Sequence, residues 1–254
     1  MINRIGLWTL FRKEVHRFVK VWAQTVMSPL ITTSLYFLVF GVALGARLRT
    51  IAGVPYIEFV IPGLVMLAMI TNAFLNTSSS LFQSKVNGTV VDLLVAPLGA
   101  REILIAYVGA AVCRALMVGS LVYLVAVGFT GVRMYSLAWT LYFAVTVSMA
   151  FAMLGLLAAI WSQRFDHLSL FPNFILTPLT FLGGVFYSID MLPPPWDTIS
   201  RLNPILYMVN GLRLGLLGVS DVPVRGSALA VGVLCALLAA LCGLVIGRGY
   251  KLRG

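Results

Sequence analysis

The chain has 254 residues, of which 60% are hydrophobic and only 10% are charged. Its mean hydropathy of +0.99 lies far outside the range of soluble globular domains. This composition excludes a soluble enzyme, and it removes the usual reason to connect a net charge of +10 with nucleic acid.

Uncharged apolar runs predict how often the chain crosses a membrane. A spanning helix needs roughly 20 residues, and five longer runs contain no charged residue: 21–46, 59–84, 134–163, 168–189 and 226–247. A sixth run, 103–132, is interrupted by Arg114 alone. The sequence therefore predicts an all-α membrane protein with six transmembrane helices in a single domain over 1–254.

The basic residues predict the orientation. Six spans place both termini on one side, together with the connections 85–101 and 164–167, and that side carries eleven Lys and Arg residues against six on the other. Because cytoplasmic segments carry the excess of Lys and Arg, both termini are predicted to be cytoplasmic.

The first 22 residues form a predicted amphipathic helix ahead of the first span. Its apolar face holds Leu7, Phe11, either Val15 or Phe18, and Trp22, and basic residues fill the remainder. Such a helix is typical of the membrane interface.

The second span becomes polar in its inner half. Asn72, Asn76 and Ser80 are four residues apart, and Thr77 follows Asn76; residues at this spacing share one helical face. The stripe is either a set of hydrogen bonds between helices or the polar wall of a conduit, and both interpretations require that it faces inward.

The segment 85–101 is too apolar for a solvated loop and too short to span. Asn87 or Thr89 can cap a short helix with Asp92 in its first turn, and Pro97 ends it. An exposed apolar helix needs a partner surface, and we favour a protein over lipid as that partner.

Arg114 lies near the middle of the third span. A charge at this depth is a functional hypothesis by default. Its side chain either snorkels toward the interface or pairs with a polar group of the second span, and because no acidic residue is an obvious partner we favour a structural role.

The fifth span is interrupted by Pro172, Pro178, Gly183 and Gly184. A broken helix in hydrocarbon is tolerated only where protein or a water-filled cavity covers it, so this span is predicted to face the functional part of the membrane domain.

The connection 190–225 contains a second apolar segment, 205–217, after Asn203 and Pro204. It is too short to cross a bilayer. We predict a re-entrant pair of external helices between the fifth and sixth spans.

Two motifs give the chain a family resemblance. One is Gly88-Thr-x-x-x-Leu93-Leu94-x-x-Pro97. The other, over 176–213, reads Leu-Thr-Pro-Leu-Thr-x-Leu-Gly-Gly-Val-Phe-Tyr, then Leu-Pro-Pro, Asn-Pro and Gly-x-Arg. With its six spans and entry helix, the whole chain resembles the permease subunits of type-2 ATP-binding-cassette (ABC) exporters, in their YadH-like and NodJ-like branch. Many members carry an acidic residue where this chain has Asn87.

The resemblance implies a homodimer in the bacterial inner membrane, driven by two separate ATPase subunits that bind ATP and magnesium, while this chain binds no cofactor. It implies export of an amphipathic lipid, glycolipid or drug-like molecule. The implied contacts with the ATPase are Asn87, Gly88, Thr89, Asp92, Leu93, Leu94 and Pro97. The implied translocation path contains Asn72, Asn76, Thr77, Ser80, Pro178, Gly183 and Gly184. The implied external gate contains Asn203, Pro204 and Arg213.

Other classes of membrane protein make different demands on the sequence. An ion-coupled secondary transporter usually shows internal repeats and ion sites near the bilayer midplane; the broken fifth span keeps this alternative open, and dependence on ATP would separate the two. A membrane enzyme would need a nucleophile with a base, or a cluster of carboxylates and histidines. No such set is found, so we predict no catalytic and no metal-binding residues.

Overall fold

The computed structural model describes residues 3–39 and 50–250, and almost all of this part is helical. The helices are α1 (Arg4–Lys20), α2 (Trp22–Tyr36), α3 (Tyr56–Val86), α4 (Val90–Val95), α5 (Ala100–Thr130), α6 (Leu137–Trp161), α7 (Phe165–Leu170), α8 (Thr177–Phe181), α9 (Trp196–Leu202), α10 (Pro204–Leu217) and α11 (Val224–Gly247). A π-helical stretch, Phe171–Leu176, joins α7 to α8, and Ile189–Met191 forms one 3-10 turn. Strands β1 (Thr50–Ile51) and β2 (Val54–Pro55) make a short antiparallel hairpin.

Within the described residues, four helices are long and apolar enough to cross a membrane: α3, α5, α6 and α11. They coincide with four of the predicted spans. The first predicted span begins as α2, and its residues 40–46 lie outside the described part of the chain. The fifth corresponds to α7, the π-helical stretch and α8, which together cover 165–181. The count of six spans stays a prediction.

Helix α3 lies at the centre of the bundle and contacts α5, α6 and α10. It is buried on nearly all sides. Its closest neighbour is α6, because Gly155 lets that helix approach: a Cβ atom there would collide with the carbonyl oxygen of Phe74 and with Thr77 Oγ1. The absence of a side chain at Gly155 therefore sets the distance between the two helices.

The fifth span ends earlier than predicted. Its helix ends at Phe181 rather than continuing to residue 189. The amide nitrogen of Leu182 still donates to the carbonyl of Pro178, whereas Gly184 has a positive φ of 71°, a conformation that interrupts a right-handed helix. The prediction of 168–189 is therefore wrong at its outer end, and a turn replaces the last helical residues.

The two short external helices differ from one another. Helix α10 packs between α3, α6 and α11 and buries most of its residues. Helix α9 leaves Trp196, Ile199 and Leu202 exposed. Only α10 therefore enters the core of the bundle.

Helix α1 packs along α5, and the face it buries agrees with the predicted one only at Phe18. The buried side chains are Leu10, Glu14 and Phe18, whereas Trp22, assigned to the apolar face, is 62% exposed. An acidic side chain at the centre of the buried face was not expected, and its partners are described below.

Candidate functional site

The short helix α4 lies between the ends of α3 and α5, at what we call the inner end of the bundle, after the predicted orientation. The turn that leads into it needs Gly88, whose φ of +73° is left-handed and favours glycine. Thr89 stands at the N-cap position without a capping hydrogen bond, and the helix ends at Val95, two residues before Pro97. The prediction of a short helix here is confirmed, but the predicted side-chain cap is not found.

Hydrogen bonds fix both flanks of α4 to neighbouring helices. On one flank, the backbone nitrogen of Asn3 donates to Glu102 Oε1 at 3.2 Å and its side-chain nitrogen donates to the carbonyl of Pro97 at 3.1 Å. On the other, Lys85 Nζ donates to the carbonyls of Ala159, Ile160 and Ser162 at 3.0, 2.9 and 2.9 Å. The start of α1 and the end of α6 are thereby tied to the two sides of this segment.

The exposed apolar surface of α4 is formed by Val91 and Val95, which are 57% and 78% exposed. They are four residues apart and share a face, and Asp92 beside them is also exposed. Leu93 and Leu94 are half-buried and pack against the protein's own apolar cluster. A partner docking on α4 would thus meet the valines first.

A second group of polar residues joins α1, α3 and α5. We call it the inner polar cluster, and it consists of Glu14, Arg17, Asn72, Asn76, Ser80 and Arg114. Glu14 Oε2 accepts hydrogen bonds from Ser80 Oγ at 2.6 Å and from Arg17 Nε at 3.2 Å. Arg17 Nη2 also donates to the backbone and side-chain oxygens of Asn76 at 2.7 and 3.0 Å.

Arg114 enters this cluster from α5. Its Nε donates to Asn72 Oδ1 at 3.2 Å and its Nη1 donates to Asn76 Oδ1 at 3.4 Å. The predicted pairing of Arg114 with the second span is confirmed. Asn76 Oδ1 thus accepts from two guanidinium groups, while the only carboxylate of the cluster is Glu14.

The polar stripe of α3 forms hydrogen bonds between helices, one of the two interpretations that the sequence left open, and the conduit stays a prediction. Asn76 and Ser80 form hydrogen bonds to α1 and α5, and Thr77 turns the other way and donates to the carbonyl of Ala152 on α6 at 2.7 Å. Asn72 reaches the wall of a cavity. The stripe therefore joins helices over most of its length and borders open space at Asn72.

This polar cavity has a volume of about 370 Å³ and lies between α2, α3 and α8, with Arg114 at its wall. Helix α8 contributes Thr177, Thr180 and Phe181, while the residues Pro178, Gly183 and Gly184 of the predicted path are not part of the lining. Helix α2 contributes a stripe that the sequence reasoning missed: Gln24, Ser28, Thr32 and Tyr36. Their spacing of four residues is the same signal that identified the stripe of α3.

The outer polar cluster is formed by Arg213, Asn210, Asp221, the carbonyl of Gly184 and the ring of Phe59. Arg213 is fully buried; its Nη1 donates to Asn210 Oδ1 and Asp221 Oδ2, both at 3.3 Å, and its Nη2 donates to the carbonyl of Gly184. Its guanidinium carbon lies 3.9 Å from the centroid of Phe59. The cluster joins the end of the fifth span, α10 and the turn before α11.

Asn203 and Pro204, the other residues of the predicted gate, form the beginning of α10. The side chain of Asn203 accepts a hydrogen bond from the amide of Ile205 at 3.0 Å and donates to the carbonyl of Leu179 at 2.6 Å. Pro204 is the first residue of the helix, where its missing N–H costs nothing. The three predicted gate residues thus all lie where α10 meets the end of the fifth span.

Comparison with known proteins gives a consistent result. The family model described as "ABC-2 type transporter" matches residues 6–217. The chain is 42% identical over 252 residues to the inner membrane transport permease YadH of Escherichia coli strain K12, covering 98% of this chain and 97% of that protein. It is 27% identical over 236 residues to nodulation protein J of Sinorhizobium fredii, covering 92% and 87% of the two chains.

Proposed function

The chain belongs to the ABC-2 type transporter family, and on that premise we propose that it is the permease of an exporter driven by a separate ATPase. Family membership makes it a transport subunit rather than an enzyme, and a multi-pass protein of a bacterial inner membrane. The family also implies association with an ABC ATPase. Export, the nature of the cargo and the stoichiometry are the proposed part.

The observation that carries the proposal is the surface of α4. This short helix presents an apolar pair, Val91 and Val95, beside the exposed Asp92, at the end of the bundle that the charge distribution predicts to be cytoplasmic. Its flanks are hydrogen-bonded to α1 and α6, so a force applied to α4 would reach helices on both sides. A two-state element that a partner can bias is what ATP-driven gating needs.

In the proposed assembly two copies of this chain pair about a two-fold axis and two ATPase subunits bind ATP and magnesium at their inner ends. The cargo is an amphipathic lipid, glycolipid or drug-like molecule that leaves from the cytoplasm or the inner leaflet. The name of nodulation protein J specifies no cargo.

The experiment is affinity purification of the full chain from native membranes, followed by an ATPase assay on the proteins that accompany it. We expect a stoichiometric ATPase with the wild type and its loss from the double variant Val91→Asp/Val95→Asp, because two carboxylates would be buried against the docking partner. The control Met191→Asp/Leu202→Asp places the same charges on two exposed apolar residues at the outer end and should retain the ATPase.

Two results would overturn the proposal. If the wild-type chain is purified alone and transports without ATP, the ion-coupled alternative takes its place. If the Val91→Asp/Val95→Asp variant retains the ATPase in full yield, α4 is not the docking helix.

A further inference from the structure

The polar cavity has an arginine in its wall and no acidic residue among its described lining residues. Among the sixteen lining residues that belong to the described part of the chain, only Arg114 is charged. Within the described ranges 3–39 and 50–250, no carboxylate forms an ion pair with Arg114. A cation near the middle of a spanning helix is costly unless a partner compensates it.

The residues around Arg114 do not neutralise its positive charge. Arg17 shares the side-chain oxygen of Asn76 with Arg114, while Glu14 is paired with Arg17. Two guanidinium groups and one carboxylate leave an excess of one positive charge beside the cavity.

Arg114 also has hydrogen-bonding capacity to spare. A guanidinium has five N–H donors, and the bonds to Asn72 and Asn76 use two of them. The other three have no acceptor among the residues that the structure describes. The two asparagines hold the group in position and leave its remaining donors for something in the cavity.

The other walls suit a headgroup joined to an apolar chain. Ser28, Thr32 and Thr71 line the cavity, and their hydroxyl groups form no hydrogen bond with any described residue. The apolar part of the lining includes Leu64, Leu67, Leu75 and Phe181. The volume is within the range of small-molecule sites.

We propose that this cavity binds the anionic headgroup, a phosphate or carboxylate, of an amphipathic molecule, with Arg114 as its charged contact. Asn72 and Asn76 position the guanidinium, and the hydroxyl groups of α2 and α3 bind the remaining polar atoms. The inference rests on the proposed function for its meaning, because it names the class of cargo that the permease selects. It does not depend on the ATPase for its test.

The test measures binding of three probes with the same alkyl chain to the full-length chain in phosphatidylcholine nanodiscs: dodecyl phosphate, dodecyl maltoside and dodecyltrimethylammonium. We expect dodecyl phosphate to bind about ten- to a hundredfold more tightly than the other two, since one charge-assisted contact is worth about that factor. Inorganic phosphate at the same concentration should not displace it, because it lacks the chain.

Two variants remove the charge in different ways. Arg114→Gln deletes it, and Asn72→Asp neutralises it by placing a carboxylate where an acceptor of Arg114 already lies at 3.2 Å. Each should abolish the preference for dodecyl phosphate while retaining the binding of dodecyl maltoside. Arg133→Gln, which removes one exposed positive charge at the outer end, should retain the preference.

The inference is overturned if the three probes bind equally well to the wild type, or if the preference survives in Asn72→Asp. Displacement of dodecyl phosphate by inorganic phosphate at equal concentration would overturn the claim that the ligand needs an apolar chain. If these results go against the cavity while the ATPase still accompanies the chain, the inference fails and the proposed function stands. If the chain prefers the anionic probe but never recruits an ATPase, the anion site stands and the proposed function fails.

Discussion

The two polar clusters of this bundle both hold arginine beside a carboxylate, yet they are built differently. In the outer cluster one arginine meets one aspartate, and their side chains are 0% and 5% exposed. In the inner cluster two arginines meet one glutamate, and the side chain of Arg17 is 27% exposed. The outer cluster is neutral and closed, and the inner one is positive and partly open.

The difference follows from what each cluster joins. From within α10, Arg213 bonds to Asn210 one turn away, to the turn at Gly184 and to Asp221 in the loop before α11, which holds α10 inside the bundle. The inner cluster joins α1, α3 and α5 beside α4 and the polar cavity. A neutral, sealed set of contacts favours one arrangement, whereas an unbalanced set beside open space responds to a ligand or a partner. Three substitutions test this contrast.

The largest loss is expected for Asp221→Asn. The change leaves the fully buried Arg213 without its carboxylate, and removing one partner of a buried pair costs about 3–5 kcal/mol. The free energy of unfolding, measured in detergent micelles with increasing dodecyl sulfate, should fall by that amount. Arg133→Gln, at an exposed position, should leave it unchanged. A loss no larger than that of this control would mean that the outer cluster is hydrated and not sealed.

A smaller loss is expected for Gly211→Ala in α10. A Cβ atom at Gly211 would overlap the ring of Phe143, and overpacking of this kind costs about 1–3 kcal/mol. Gly226→Ala is the matched control, because a Cβ atom there meets nothing within 4 Å and alanine favours the helix of α11. If both changes stabilise the protein, α10 is not held as closely against α6 as the outer cluster requires.

Much of the bundle could be predicted because a spanning helix requires a run of consecutive apolar residues, which is visible in the sequence. The long helices and the short helix α4 follow from runs and spacings within one segment. Burial of Glu14 could not be predicted in this way, since its partner Ser80 lies 66 residues further along the chain. The early end of the fifth span likewise depends on contacts that Gly184 makes with α10 and Arg213.

The candidate site was predicted less completely than the helices. The family resemblance implied Leu93 and Leu94 as docking residues, but in the structure these two are half-buried against the protein, whereas Val91 and Val95 are exposed. Which face of a helix is buried depends on its neighbours, and six residues offer too little periodicity to reveal it. The polar stripe of α2 (Gln24, Ser28, Thr32 and Tyr36) could have been predicted, because its residues are spaced by four like the polar residues of α3.

The smallest loss is expected for Glu14→Gln, the inner counterpart of Asp221→Asn. The amide oxygen can still accept from Ser80 and Arg17, so only the charge assistance of these bonds is lost, worth about 1 kcal/mol. Water can also reach Arg17, which is partly exposed, whereas it cannot reach Arg213. Measured in the same micelles, the free energy of unfolding should therefore fall several-fold less than in Asp221→Asn. Equal losses would contradict the contrast between the clusters, because they would show that the inner arginine depends on its carboxylate as fully as the outer one.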